Sequence, residues 1–177
     1  MKATELRIII LLTCALTLSA ADNIAWGPPD HGIRFGIALG PAASDPQLRL
    51  IFENLERPQC HLPLGSTSAK GPIYDVLFTL RAPDGKESPV FNFNGPPGVQ
   101  HAVQPVVLDI PRGKSHEIQL SMKKLIYVDN NGKNRTLPDM LALHYSVHAS
   151  VDTSGESRFT RTRDQWMGKV VSGDLRQ

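Results

Sequence analysis

The chain has 177 residues, with 19 lysines and arginines against 17 aspartates and glutamates, and a formal net charge of +2. That balance excludes the concentrated basic face of a typical nucleic-acid binder. The length suits one domain that buries its own core.

The first segment reads as a secretory signal peptide. Lys2 and Arg7 give a positive start, diluted by Glu5. From Ile8 to Leu18 the chain is apolar except at Thr13, Cys14 and Thr17. Small residues follow, Ser19, Ala20 and Ala21, and then Asp22. This pattern places cleavage after Ala20. The apolar run is shorter than the ~20 residues that span a bilayer. Leu11-Leu12-Thr13-Cys14 lacks the small residue that a lipoprotein signal carries before its cysteine. The expected organisation is a signal peptide over 1–20 and a single β-sandwich domain over 21–177, secreted or periplasmic and with no membrane span after cleavage. Cleavage removes Cys14 and leaves Cys60 as the only cysteine. Cys60 is then either buried or free to pair with another molecule, and no internal disulfide forms.

From there the pattern is period two. An early strand is expected near Ile33–Leu39. In Gln47–Leu55, Leu48, Leu50 and Phe52 alternate with Arg49, Ile51 and Glu53. In Ile73–Arg81, Tyr74, Val76, Phe78 and Leu80 share one face of a strand. Pro83-Asp84-Gly85-Lys86 is turn chemistry, and Val90, Phe91 and Phe93 form the returning arm of a hairpin. A second hairpin is expected to join Leu108 and Ile110 to Ile118, Leu120 and Met122 across Pro111-Arg112-Gly113-Lys114. A short helix is placed near Met122–Val128. Leu141, Leu143, Tyr145, Val147 and Ala149 read as a late strand, with His144, Ser146, His148 and Ser150 facing outward. A final strand is expected near Gly168–Leu175. The longer loops fall at 56–72, 94–104, 128–139 and 152–165. Short strands separated by turn signals indicate an all-β, antiparallel sandwich. Loops at the ends of such a sandwich are its usual functional positions.

Trp26-Gly27 with Gly32–Ile37, Leu48–Asn54 with Leu62-Pro63-Leu64-Gly65, Ala82–Lys86, and Trp166–Ser172 form a set of segments. Together they resemble a group of secreted bacterial immunoglobulin-like sandwich proteins with no assigned activity. The resemblance covers most of the chain beyond the leader, and it implies the fold without supplying a catalytic residue. The strand ending in Asn54 and the Asp84-Gly85 hairpin are also similar to bacterial proteinase-inhibitor domains of the same architecture.

Candidate chemistry is sparse. Cys60-His61 is a soft-ligand pair that could hold zinc or copper with His101 or His116. Neighbouring side chains on an extended chain point opposite ways, so joint ligation needs a bend. His144 and His148 on one strand would stand roughly 13 Å apart, too far to chelate one ion. Gly113-Lys114-Ser115 resembles the end of a phosphate loop, but Leu108 stands where the pattern needs glycine. Asp129-Asn130-Asn131-Gly132 is a turn, or alternatively a simple surface calcium site. Arg158, Arg161 and Arg163 form a small basic cluster diluted by Glu156 and Asp164. Asn134-Arg135-Thr136 is a glycosylation acceptor pattern, relevant only in a eukaryotic secretory pathway. No Gly-x-Ser-x-Gly elbow occurs.

The sequence therefore points to an exported, non-enzymatic module without a cofactor. It binds a protein or polysaccharide, or serves a structural role in the cell envelope. One alternative is a proteinase inhibitor acting through an end loop, 56–72 or 94–104, stiffened by Pro58, Pro63, Pro96 and Pro97. A second is a metal-binding protein using Cys60 and histidines.

Overall fold

Alternation of apolar and polar residues becomes antiparallel ladders along the chain. The structure, a computed structural model, describes residues 23–41, 44–68, 71–92, 104–129, 131–154 and 165–176. The leader, Phe93, Pro96, Pro97, His101, Asn130 and the Arg158–Arg163 cluster lie outside them.

The first sheet contains β1 (Ala25–Trp26), β2 (Ile33–Leu39), β3 (Gln47–Asn54) and β9 (Ser115–Ser121), in the order β1-β2-β3-β9. The second contains β4 (Gln59–Ser68), β5 (Gly71–Tyr74) and β8 (Gln104–Pro111), in the order β5-β4-β8. The third contains β6 (Leu77–Arg81), β7 (Glu87–Asn92), β10 (Leu125–Val128), β11 (Asn134–Thr136), β12 (Ser146–Asp152) and β13 (Lys169–Val171). Its order is β11-β10-β7-β6-β12-β13. The fold is all-β with one short α-helix, α1 (Leu137–Ala142), among the described residues.

The alternation in β3 orients the first sheet. Leu48, Leu50 and Phe52 point into the core, and the Phe52 ring stacks on Phe35 of β2 at 4.5 Å. Arg49 and Glu53 face outward, where they pair with Glu117 of β9 and Arg34 of β2. Ile51 shares this outer face yet is buried. It lies opposite Gly36, which in turn lies opposite Trp26. A Cβ on Gly36 would come within 2.6 Å of the Trp26 ring, so glycine there lets the indole lie flat on β2. The Arg34 guanidinium covers the ring from 4.1 Å, a cation–π contact.

Six of the expected elements are corrected. Within segment 56–72, expected as a loop, residues 59–68 are β4 and residues 71–72 begin β5. Cys60, Leu62 and Leu64 alternate inward along β4, and the ladder shifts register between Pro63 and Gly65, where proline has no amide to donate. Ile73–Arg81 is two strands in different sheets, broken at Asp75 and Val76. Leu108–Ile110 and Ile118–Met122 do not form a hairpin: β8 pairs with β4, and β9 with β3. Residues 112–114 are a corner between sheets. The short helix expected near Met122–Val128 is confined to one 3-10 turn at Met122–Lys124, and Leu125–Val128 is β10. The late strand begins at Ser146, because Leu137–Ala142 is helical. Thr136 starts that helix, with its amide and hydroxyl both donating to the Asp139 carboxylate at 3.0 and 2.7 Å. The 128–139 segment accordingly holds β11 and the start of α1.

The β6–β7 hairpin forms as expected, with Phe78 opposite Val90 and Gly85 at φ +85° in the turn. Buried residues of all three sheets and α1 belong to one core cluster.

Asn54 ties two corners of this arrangement together. It ends β3 and is fully buried. Its side-chain amide donates to the carbonyls of Arg57, at 2.9 Å, and Ile110, at 2.8 Å. Its side-chain oxygen accepts the Arg57 amide at 3.0 Å. Its backbone accepts from Gly113 and donates to Lys114. One side chain thus holds the β3–β4 corner against the β8–β9 corner.

Candidate functional site

Cys60 and His61 sit next to each other on β4, and the pleat separates them. Cys60 points into the core with no exposed surface. Burial pushes its thiol up to about 11, with the Arg57 charge opposing weakly. His61 points outward, and its Nδ1 is within hydrogen-bond distance of Asp109 Oδ1, directly across on β8. Its carbonyl accepts the Trp166 amide at 2.9 Å. His116 is exposed on β9, in the first sheet. His101 lies outside the described residues. Cys60 and His61 are therefore not a joint ligand pair, since the strand turns them to opposite faces. No group of three histidine, cysteine, aspartate or glutamate side chains suited to a metal ion occurs among the described residues.

A buried thiol this hard to ionise should be chemically inert. Ellman's reagent at pH 8 is expected to label Cys60 only after unfolding by denaturant; rapid labelling of the native protein would contradict this. The folded thiol titrates above the unfolded one. Its contribution to stability is therefore complete below about pH 8.5 and is lost as pH rises towards 11. Comparing wild type with Cys60→Ala across pH 8–11 isolates the effect: the wild type should lose stability more steeply.

His144 and His148 do not share a strand face. His144 lies in the turn after α1 with φ +61°, and His148 lies on β12. The buried Nδ1 of His148 makes no hydrogen bond and lies 3.4 Å from Asp174 Oδ1. Asp174 also pairs with Arg81 of β6, whose Nη2 is 2.8 Å from Glu87 of β7. The hydrogen bond from Arg81 holds the Glu87 carboxyl below its ordinary range. Arg81 and Glu87 stand opposite each other across the Asp84-Gly85 turn, so the hairpin pattern contained that pair. Asp174 carries no local signal: only the fold brings it to β6 and β12.

Asp129 Oδ1 accepts the amides of Asn131, at 2.9 Å, and Lys133, at 2.8 Å. Its other oxygen lies 3.6 Å from Arg135 Nε. These contacts, the Lys133 amide first, lower its pKa. The carboxylate thus organises the turn itself, as the turn reading expects. Lys114 of Gly113-Lys114-Ser115 lies in the corner held by Asn54, and its backbone, not a phosphate cradle, is what that contact uses. Asn134 is exposed on β11, the outermost strand of the third sheet.

The 56–72 segment is paired backbone along much of its length and so is not a free loop for a protease cleft; the 94–104 segment lies almost wholly outside the described residues. No helix among the described residues is long and apolar enough to cross a membrane. No protein-family model matches the chain, and it has no match among curated proteins or solved structures.

Proposed function

We propose that the chain is an exported, non-enzymatic module of immunoglobulin-like sandwich architecture, which binds a protein or polysaccharide partner or serves a structural role in the cell envelope. The sandwich reading is supported by the corners at Arg57–Pro58 and 112–114, where the chain passes between the first and second sheets, and by the common core of their inner faces. The export reading rests on the apolar run Ile8–Leu18 and the small residues after it.

What carries the non-enzymatic reading is the placement of the ionisable groups. Arg34–Glu53, Arg49–Glu117, Arg81–Glu87 and His61–Asp109 each join two neighbouring strands. Cross-strand pairs of this kind serve register more than chemistry. The one thiol among the described residues, Cys60, is enclosed.

Binding is tested by melting residues 21–177 against envelope polysaccharides and fractionated envelope proteins. A partner that binds only the folded state raises stability by about 2.7 kcal/mol at a hundredfold excess over its Kd. A reproducible, saturable shift with one fraction supports the proposal. No shift with any fraction, together with turnover of a small substrate, would overturn it.

A further inference from the structure

We infer that Gln165–Leu175 is the closing segment of the fold: none of the three sheets reaches its final form until this segment is seated. It is the last described segment in chain order, and it touches every sheet.

Its first anchor is Trp166. The indole is fully buried, its Nε1 donates to the Asp30 carbonyl at 3.3 Å, and its backbone amide donates to His61 of β4. One residue therefore joins the start of the first sheet to the centre of the second. The Lys169 amide donates to the Asp30 carboxylate at 3.0 Å, and a Cβ on Gly168 would come within 2.4 Å of that carboxylate. Residues 169–171 then form β13 against β12.

The second anchor lies between two sheets. Ser172 donates its amide to the Ala149 carbonyl at 2.8 Å and accepts the Ala149 amide on its hydroxyl at 2.9 Å. Gly173 then donates to the Ala25 carbonyl of β1 at 2.9 Å. Leu175 and Val147 exchange both backbone hydrogen bonds. The segment thus reaches β12 on one side and β1 on the other. Gly27 permits the approach, because a Cβ there would lie 1.6 Å from the Val171 carbonyl oxygen.

The seat for this segment is built from residues near 25–30, 61 and 147–149, which are remote in sequence. Before it docks, the Trp166 site in the core is empty, and β1 and β12 lack these hydrogen bonds. Unpaired backbone and an unfilled core at that position leave the strands open. The segment and the sheets that seat it therefore open and close as one unit. On the export reading above, such a chain stays open while it is threaded; the closure itself does not depend on that reading.

Native-state hydrogen exchange on the full chain, read by peptide mass spectrometry, tests this. Residues that open only with the whole fold share its protection. Peptides covering 166–176 should match those covering β2 and β3 to within about tenfold. Exchange in 166–176 about a hundredfold or more faster than in β2 and β3 would show a segment that frays by itself, and would overturn the inference. The variant Gly27→Val adds a second readout. Protection should fall together in 166–176, in β12 and in β2. A fall confined to residues 25–27 would contradict closure as one unit.

Discussion

Replacing Trp166 with alanine is expected to lower the unfolding free energy by about 3–5 kcal/mol, the range for removing a fully buried large aromatic side chain. The indole is enclosed by the core, so its loss leaves a cavity whose walls come from strands that cannot readily collapse. The change also removes the donor to the Asp30 carbonyl. Trp166→Phe separates the two effects. It keeps much of the volume and loses the hydrogen bond, and should cost roughly 1–2 kcal/mol. Urea unfolding followed by circular dichroism measures both. A cost below about 1 kcal/mol for Trp166→Ala would mean that the indole does not fill the core as described.

Asn54→Ala should cost about 3 kcal/mol, because it deletes one buried and two part-buried hydrogen bonds and leaves the Ile110 carbonyl without its side-chain donor. Asn54→Asp is the sharper comparison. It keeps an oxygen for the Arg57 amide but places carboxylate oxygen where two carbonyls accept hydrogen bonds. It should be destabilised at least as much as the alanine variant at neutral pH. Acidification should narrow the difference, since the protonated acid can donate. Equal midpoints for wild type and Asn54→Ala in denaturant titrations would remove Asn54 from its place at the two corners.

These two residues also show where local pattern ends. The inward face of β3 is legible, because Leu48, Leu50 and Phe52 follow a strict period of two. Ile51 breaks the alternation, and its burial depends on Gly36 and Trp26 from other strands. The inward run Cys60, Leu62, Leu64 was equally regular, but Pro63 and Gly65 within it resemble loop chemistry. At 111–114 the turn residues are where they should be, while the pairing is not, since a corner and a hairpin use the same proline and glycine. What distinguishes them is Asn54, some sixty positions away in sequence. The helix at Leu137–Ala142 is too short for helical periodicity to register. Its readable signal was Thr136 followed by Asp139, with Pro138 in the first turn.

The chemistry divides in the same way. That Cys60 and His61 face opposite ways follows from strand geometry alone. That His61 meets Asp109, and His148 meets Asp174, requires strand pairings that no local pattern contains. Three glycines are also explained by contact. Gly27, Gly36 and Gly168 each stand where a side chain would strike a neighbouring residue.

Under the proposed function, the outward polar groups hold strands together and turn over no substrate. The most direct test is an assay of residues 21–177, His61→Ala and His148→Ala against chromogenic esters, glycosides and peptides. The expected result is no turnover above buffer for any of the three proteins. Turnover by the wild type that one of these substitutions abolishes, with the melting temperature unchanged, would contradict the account.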